Sequence, residues 1–353
     1  MTTIDKDKPV LVTGATGYVA GWLVRKLLEE GIRVHAAVRQ PDNKEKTGPL
    51  RELARESGGE IQFFAADLLR EGSYAEAMTG CQLVFHTASP FISVVADPKK
   101  ELVEPALLGT RNVLSQADRT PSVKRVVLTS SCAAIYGDNI DLKETPGRIF
   151  TEEIWNTTSS LDHGAYAYSK VLAEREAWKI AERQSRWDLV VINPSLVFGP
   201  ALNPRDVTSE SFRIIRQFGD GSVKTGVPHL EIGVVDVRDV ATAHFLAGFT
   251  PTAAGRHIVS GHNTSFMQMA ATLRPRFGDQ FPLPRKEVPK WLIWLFGPMI
   301  NKTLTRTYVA RNIGHPWRAD NSKSRQSLGV TYRPLEETMN ETFQQLADTV
   351  WNQ

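Results

Sequence analysis

The sequence predicts an α/β fold in which helices cover both faces of a doubly wound parallel sheet, with a smaller lobe at the C-terminal end. Short, near-continuously apolar runs alternate with helical patterns along the first half of the chain. That alternation is typical of parallel strands that are buried on both faces and joined by crossover helices. After about residue 200, prolines become frequent and the alternation fades, which indicates the separate lobe.

Each element of the sheet is predicted from its own pattern of apolar residues. Gly31 ends the first helix. Residues 234–248 and 256–261 also look regular and are expected to return to the first domain, and the last 20 or so residues are expected to be helical. The other predicted helices and strands are helices over 18–30, 97–118 and 165–184, and strands Val10–Thr13, Arg33–Arg39, Ile61–Ala66, Leu83–Ala88, Arg125–Ser130 and Leu189–Asn193.

The composition is that of a folded protein with a sizeable core. Of the 353 residues, 41% are hydrophobic and 23% are charged, and this balance excludes a chain that is disordered throughout. The net charge of +3 is small and lysine and arginine do not cluster on one element, so we expect no nucleic acid among the partners. A mild positive excess suits an anionic ligand.

The chain shows no sign of export or of a membrane span. No apolar stretch precedes the first strand, so we expect no signal peptide, and the 10-residue apolar run at 291–300 is too short to cross a bilayer. We expect this run to form a core or dimer contact in preference to a membrane-surface contact. Two separate cysteines, Cys81 and Cys132, favour a reducing compartment. We therefore expect a cytoplasmic protein with no membrane partner and no metal site.

A glycine-bearing turn joins the first strand to the first helix. Gly14, Gly17 and Ala20 follow the spacing G-x-x-G-x-x-A. A pyrophosphate can approach the backbone closely where no Cβ atom intervenes, and the helix N-terminus offers unpaired N–H groups. An ordinary strand-to-helix turn is the alternative, but the position on the first strand of a long βαβ series favours a dinucleotide site of the Rossmann type.

The end of the second strand indicates which dinucleotide is bound. NAD sites usually carry an acidic residue there for the ribose 2′-hydroxyl, whereas this chain has Arg39, followed by Lys44 and Lys46. A guanidinium suits a 2′-phosphate. The alternative is that these are solvated loop charges. The sequence favours NADP(H) over NAD.

Three further residues have the types that carbonyl reduction requires. Ser131 lies at or just after the end of the fifth strand, and Tyr166 and Lys170 share one face of a later helix because they are four residues apart. A phenol is a weak acid near neutral pH, and a nearby ammonium favours its ionised form. A serine hydroxyl can hold the substrate oxygen as charge develops on it. The alternative is a surface Tyr/Lys pair on an amphipathic helix.

Together the turn, Ser131, Tyr166 and Lys170 resemble the extended short-chain dehydrogenase/reductase superfamily, over roughly residues 8–260. Within it the chain is similar to the dihydroflavonol reductase, cinnamoyl-CoA reductase and methylglyoxal/aldehyde reductase group. The resemblance implies that Ser131, Tyr166 and Lys170 are catalytic, that Lys170 also holds the nicotinamide ribose, and that a set of strand-end residues binds the cofactor. The residues so implied are Thr13, Gly14, Thr16, Gly17, Tyr18, Val19, Arg39, Lys46, Asp67, Leu68, Thr87, Ala88, Ser89, Tyr166, Lys170, Pro194, Leu196 and Val197.

Two details separate alternatives within the superfamily. Sugar epimerases and dehydratases usually carry Asn where this chain has Ala106, and the aldehyde and flavonoid reductases also lack that Asn. Ala106 therefore favours the reductase branch. Ser130 is a second hydroxyl beside Ser131, but strand alternation sends the two to opposite sides and the family pattern selects Ser131.

Other polar and aromatic residues are weaker candidates for substrate contact. His86 and His163 are more often structural than catalytic in such positions. Tyr136 and Phe91 follow ligand-side strand ends and face either the pocket or the core. The remaining candidates, in the second lobe, are Arg311, His315, Trp317 and Arg318.

The sequence thus predicts an NADPH-dependent oxidoreductase that reduces a small aldehyde or ketone, as a monomer or homodimer. A hydroxysteroid dehydrogenase, an NAD-dependent nucleotide-sugar epimerase or dehydratase, and an NADP-sensing regulator that is not an enzyme are the alternatives. We expect residues 1–199, with about 233–262, to form the NADP-binding domain. Residues 200–232 and 263–353 are expected to form the substrate-binding lobe.

Overall fold

A computed structural model of the chain describes residues 1–89, 96–203, 210–301 and 303–351. The strands in chain order are β1 (Val10–Thr13), β2 (Val34–Val38), β3 (Ile61–Ala65), β4 (Leu83–His86), β5 (Arg125–Thr129), β6 (Asp188–Pro194), β7 (Leu196–Phe198), β8 (Val227–Pro228), β9 (Glu231–Asp236), β10 (Gly255–Val259), β11 (His262–Ser265) and β12 (Glu287–Val288).

The α-helices lie between these strands and after them. In chain order they are α1 (Tyr18–Glu29), α2 (Lys44–Ser57), α3 (Ala75–Met78), α4 (Glu104–Arg119), α5 (Ala165–Ala181), α6 (Glu210–Gly219), α7 (Val237–Phe249), α8 (Phe266–Phe277), α9 (Lys290–Ile300), α10 (Arg306–Asn312), α11 (Ser322–Leu328) and α12 (Leu335–Leu346).

Seven parallel strands form the central sheet, in the order β10-β6-β5-β4-β1-β2-β3. From β1 the chain winds outward through β2 to β3, and then crosses back to β4 and winds the other way. The predicted doubly wound α/β fold is confirmed. Its reversal of winding falls between β1 and β4, where ligands of open parallel sheets bind at the carboxyl ends of the strands.

Most strands of the central sheet are apolar on both faces because helices cover both faces. In β1, Val10 and Val12 join a core cluster with Leu23 of α1, and Leu11 joins a second cluster with Val113 of α4. All three strand residues are fully buried. Strand alternation therefore distributes one short sequence between two cores.

The remaining strands form two small sheets. A three-stranded sheet has the order β11-β9-β7, and β8 pairs with β12. Helices α6, α8 and α12 contribute Phe218, Leu273 and Phe343 to a further core cluster around these strands. The segment 256–261 does return to the main sheet, since β10 pairs with β6, and α7 packs against α1.

Two segments differ from the sequence-based expectation. Residues 44–57, which carry Lys44 and Lys46 and for which no helix was predicted, form helix α2, and the Asn43 side chain accepts the Lys46 N–H and caps this helix. The apolar run at 291–300 was predicted to make a core or dimer contact, and the core interpretation is wrong for most of it. Within α9 the buried residues are Ile293 and Gly297. No helix in the described ranges is both long and apolar enough to cross a membrane.

Candidate active site

The turn after β1 has a backbone conformation that favours glycine. Gly14 has a φ of +63°, and a Cβ atom at this position would lie 3.1 Å from both Cα and Cβ of Ala88. The Gly14 N–H donates to the Ala37 carbonyl, and the Gly17 N–H donates to the Gly14 carbonyl. The turn is therefore tight, and it brings the end of β1 against the chain that follows β4.

Helix α1 begins directly after this turn, with Gly17 as its N-cap. Because glycine has no side chain, Gly17 cannot cap the first N–H groups, which suits an anion at this end of the helix. The Tyr18 hydroxyl donates to the Gly199 carbonyl at 2.6 Å. The group of Tyr18 that is left for an anion at the helix N-terminus is its backbone N–H. Thr16 and Val19 are partly buried beside it.

Hydrogen bonds join the carboxyl ends of β1 and β4. The Thr13 Oγ1 atom accepts the N–H groups of Thr87 and Ala88 at 3.1 and 3.0 Å and lies 3.1 Å from Nδ1 of His86. Burial, together with the charge of Lys170, lowers the pKa of His86 to about 3, so its imidazole is neutral. This arrangement supports the structural interpretation of His86. It also holds Thr87 and Ala88 at the reversal of winding.

The positions after β2 and β3 lie at the same edge of the sheet. Arg39 directly follows β2 and is exposed, as are Lys44 and Lys46 in the first turn of α2. Asp67 follows β3 and its carboxylate accepts the Leu69 N–H at 2.8 Å. The Leu68 carbonyl accepts the Asn112 side-chain amide of α4 at 2.9 Å. These hydrogen bonds give the turn after β3 a definite position beside α4.

The two neighbouring serines after β5 have different environments. Ser130 is buried, and its hydroxyl donates to the Glu174 carboxylate at 2.5 Å. Ser131 is partly exposed and caps a short 3₁₀ turn over Cys132–Ala134, where its hydroxyl oxygen accepts the Ala133 N–H at 3.1 Å. Of the two, Ser131 has the accessible hydroxyl, which favours its selection as the substrate-facing serine.

Tyr166 and Lys170 lie on successive turns of α5. Tyr166 is in the first turn and 40% exposed, whereas Lys170 is buried. The Lys170 ammonium lies 5.7 Å from the centre of the Tyr166 ring and donates to the Ser89 hydroxyl at 3.0 Å. The Lys170 ammonium is thus close both to Ser89, which follows β4, and to the Tyr166 ring. Pro194, Leu196 and Val197 are at the nearby end of β6 and in β7.

A buried carboxylate beneath Lys170 was not identified from the sequence. Glu174 is fully buried one turn further along α5, and it accepts hydrogen bonds from Ser130, from the Asn193 amide at 2.8 Å and from Nε of Arg256 at 2.6 Å. The four-residue spacing from Lys170 was a signal that it shares the same helix face. These partners lie directly after β5, in β6 and in β10, so Glu174 ties α5 to the sheet.

A cavity of about 20 Å³ lies between Lys170 and Glu174. That volume holds about one water molecule. Ala106 of α4 lines this cavity together with Thr110 and Ser130. The position at which this chain lacks an Asn therefore lines the same cavity as Lys170.

A second buried carboxylate that the sequence did not reveal is Asp138. Its carboxylate accepts hydrogen bonds from Nε2 of His163 at 2.7 Å, from Nε of Arg311 at 2.5 Å and from the Asn312 amide at 2.6 Å. Burial alone would raise the pKa of Asp138, but these hydrogen bonds outweigh burial and the pKa lies below its ordinary value. The cluster joins the chain after Ser131, the chain before Tyr166 and helix α10, and it supports a structural role for His163.

The remaining candidates differ in their surroundings. Tyr136 stacks on Phe150 with ring centres 4.8 Å apart and meets the edge of Trp317 at 5.8 Å. Trp317 is buried in this cluster, so packing is its principal contact. His315 lies 3.0 Å from the Ala310 carbonyl, and Arg318 lines a cavity of about 450 Å³ in the lobe. Phe91 lies outside the described residues.

Comparison with known proteins places this arrangement in a family. The sequence profile described as "NAD dependent epimerase/dehydratase family" matches residues 10–261. The chain belongs to this family. The profile covers the turn after β1, the strand ends and the Tyr166/Lys170 helix, and it ends just after β10.

Two relatives that are similar to this chain over nearly its full length are reductases by name. Cinnamoyl-CoA reductase CAD2 of Medicago truncatula is 36% identical over 353 residues, which cover 99% of this chain and 98% of the relative. Tetraketide alpha-pyrone reductase 1 of Arabidopsis thaliana is 35% identical, with 96% and 95% of the two chains covered. The resemblance to the extended short-chain dehydrogenase/reductases and their cinnamoyl-CoA reductase group is confirmed.

A solved structure of a reductase has a similar fold. Yeast methylglyoxal/isovaleraldehyde reductase Gre2, complexed with NADPH, superimposes with a TM-score of 0.77 at 27% identity. The alignment covers 96% of this chain and 98% of that one. The similarity to this structure therefore extends through the C-terminal lobe as well as the central sheet.

Proposed function

We propose that the protein is an NADPH-dependent reductase that converts an aldehyde or ketone to the alcohol, with Tyr166 as the proton donor. The observation that carries the proposal is the position of the Lys170 ammonium between the Tyr166 ring and Ser89 at the end of β4. The oxidoreductase class and the NADP(H) cofactor predicted from the sequence are confirmed by the relatives, which are reductases by name and include a structure complexed with NADPH.

The residues at the reversal of winding fit a dinucleotide. The left-handed φ of Gly14 and its closeness to Ala88 leave bare backbone where a pyrophosphate would lie. Gly17 at the start of α1 leaves the first N–H groups uncapped by its own side chain. Arg39 after β2 supplies a cation for a 2′-phosphate, and Asp67 and Leu68 would hold the adenine. These assignments agree in placing the cofactor across the ends of β1, β2, β3 and β4.

The proposed reaction uses three side chains. NADPH, when bound, would supply a hydride for the carbonyl carbon of the substrate. The Ser131 hydroxyl donates a hydrogen bond to the carbonyl oxygen and stabilises its developing negative charge. Tyr166 transfers its hydroxyl proton to that oxygen, and the positive charge of Lys170 stabilises the phenolate that remains. Because the Ser130 hydroxyl donates its hydrogen bond to Glu174, Ser130 does not replace Ser131 as the donor to the substrate.

Turnover with defined carbonyl compounds tests the proposal. We expect NADPH absorbance to fall when the purified protein is supplied with members of a panel of aldehydes, diketones, flavonoid ketones and sterols. A sterol as the best substrate would instead support the hydroxysteroid dehydrogenase alternative. If no carbonyl compound consumes NADPH, the reductase proposal is wrong, and a redox-neutral epimerase or an NADP-sensing regulator becomes the better interpretation.

Replacing Arg39 is expected to weaken NADPH binding selectively. Loss of charge-assisted hydrogen bonds to a 2′-phosphate costs about tenfold to a hundredfold in affinity, so Arg39→Ala raises the Kd for NADPH by that factor and leaves the Kd for NADH nearly unchanged. Fluorescence titration measures both constants. Arg55→Ala, in the last turn of α2, is the control and is expected to change neither. A wild-type preference for NADH contradicts the assignment.

We also propose the division of the chain that the sequence suggested. Residues 1–199 with about 233–262 form the NADP-binding domain, and residues 200–232 and 263–353 form the substrate-binding lobe. The return of β10 to the main sheet supports this division. We propose the same cytoplasmic location as the sequence suggested, and the same oligomeric state, a monomer or a homodimer.

A further inference from the structure

Helix α9 presents an unusually exposed apolar surface. Met299 and Ile300 are each 83% exposed and Trp291 is 65% exposed. Trp294, Leu295 and Phe296 are exposed as well. A contiguous exposed patch of large apolar side chains on a folded protein usually marks an interaction surface.

The distribution of these side chains around the helix indicates the kind of partner. At about 100° per residue, the six exposed residues cover an arc of roughly 240°, and the buried face holds Ile293 and Gly297. A helix that docks in a protein groove buries a single apolar stripe, which is a much narrower arc. A partner that surrounds the helix on three sides has to be deformable, as a lipid interface is.

Charge around the helix is complementary to an anionic surface. Between residues 285 and 306 the sequence holds five basic residues and one acidic residue, a net charge of +4. Arg285, Lys286 and Arg306 are exposed, and the Arg306 guanidinium lies 4.6 Å from the centre of the Trp294 ring. A second copy of this chain fits poorly, because a two-fold contact would press this basic rim against itself.

We propose that α9 docks the protein on an anionic phospholipid surface, with its tryptophan, leucine, phenylalanine, methionine and isoleucine side chains in the interfacial layer. The helix has 11 residues and is about 16 Å long, so it lies at the interface and does not cross the hydrocarbon core. Tryptophan favours this layer, and exposed Lys and Arg side chains bind anionic headgroups. Docking does not depend on the proposed reductase activity.

Flotation of the full-length protein with vesicles tests the proposal. We expect binding to vesicles of phosphatidylcholine and phosphatidylserine in equal parts, and at least about tenfold weaker binding to phosphatidylcholine alone or in high salt. The double variant Met299→Ser/Ile300→Ser is expected to lower the bound fraction by at least about tenfold. Both substituted residues are outside the small core of Ile293, Val309 and Ile313 that anchors α9, so folding should be preserved.

A matched variant distinguishes this surface from general stickiness. Leu108→Ser/Val350→Ser removes two exposed apolar side chains on other helical segments and is expected to bind vesicles as the wild type does. If both variants lose binding equally, or if the wild type does not bind anionic vesicles, the proposal is wrong. It is equally wrong if sedimentation shows a dimer that Met299→Ser/Ile300→Ser dissociates while vesicles remain unbound.

Discussion

Tyr166→Phe is expected to lower kcat for carbonyl reduction by at least about 10³-fold, with little change in the Kd for NADPH. The substitution removes the hydroxyl that donates the proton, and general acid catalysis of this kind contributes 10²–10⁴-fold to a rate. The ring stays in place at the start of α5, so its contact with the Lys170 ammonium is retained. Steady-state NADPH oxidation measures the first quantity, and fluorescence titration measures the second.

Tyr168→Phe is the matched control for this experiment. Tyr168 lies on the same helix two residues later and points to another face, so its substitution should leave kcat within about twofold. Comparable losses in both variants would indicate a general disturbance of α5. If Tyr166→Phe keeps most of its activity, another proton donor operates. If it loses NADPH binding instead, the phenol has a structural role.

Glu174→Gln is expected to lower the free energy of unfolding by about 3–5 kcal/mol, the usual effect of breaking a fully buried ion pair. The carboxylate is fully buried and accepts hydrogen bonds from Ser130, Asn193 and Arg256. A glutamine in its place presents an NH₂ group to donors and leaves the Arg256 guanidinium without a counter-charge. Unfolding in urea, followed by circular dichroism, measures the change.

Glu176→Gln provides the comparison two residues further along the same helix. Glu176 pairs with Arg111 at 2.6 Å, but the Arg111 side chain is 45% exposed, so solvent screens the pair. Its loss is expected to cost less than about 1 kcal/mol. Equal stabilities of the two variants would show that the Glu174 carboxylate does not tie α5 to the sheet. Because Lys170 lies one turn before Glu174, we also expect kcat to fall in Glu174→Gln.

Local patterns predicted the central sheet well because most of its strands are short, apolar and buried on both faces. β1 and β4 coincide closely with the predicted apolar runs. The second helix was harder to find, since Lys44–Ser57 is rich in charged residues and contains Pro49, and its buried residues are few. The start of this helix is capped by one hydrogen bond, from the Lys46 N–H to the Asn43 side chain. Such local hydrogen bonds also stabilise ordinary turns.

The two buried carboxylates show a different limit. Asp138 accepts hydrogen bonds from His163 and from Arg311, which is 173 residues away in the chain. Glu174 accepts a hydrogen bond from Arg256, which is 82 residues away. Neither separation along the chain corresponds to a helix or strand repeat, so a single sequence does not reveal these pairs. The fold brings the groups together. These two carboxylates, which hold the candidate site in position, were therefore missed, whereas the residues that are proposed to perform the chemistry were named.

The sequence by itself determined what depends on near neighbours along the chain. A glycine turn after an apolar strand, a cation at the end of the second strand, and a phenol and an ammonium one helical turn apart follow from spacing and residue type alone. The tertiary structure decided what depends on distant partners. In the folded protein Ser131 is partly exposed, whereas Ser130 is buried and hydrogen-bonded to Glu174. The apolar helix α9 is exposed. The physical reason is that burial and pairing are properties of the space around a side chain, which segments remote in the sequence fill.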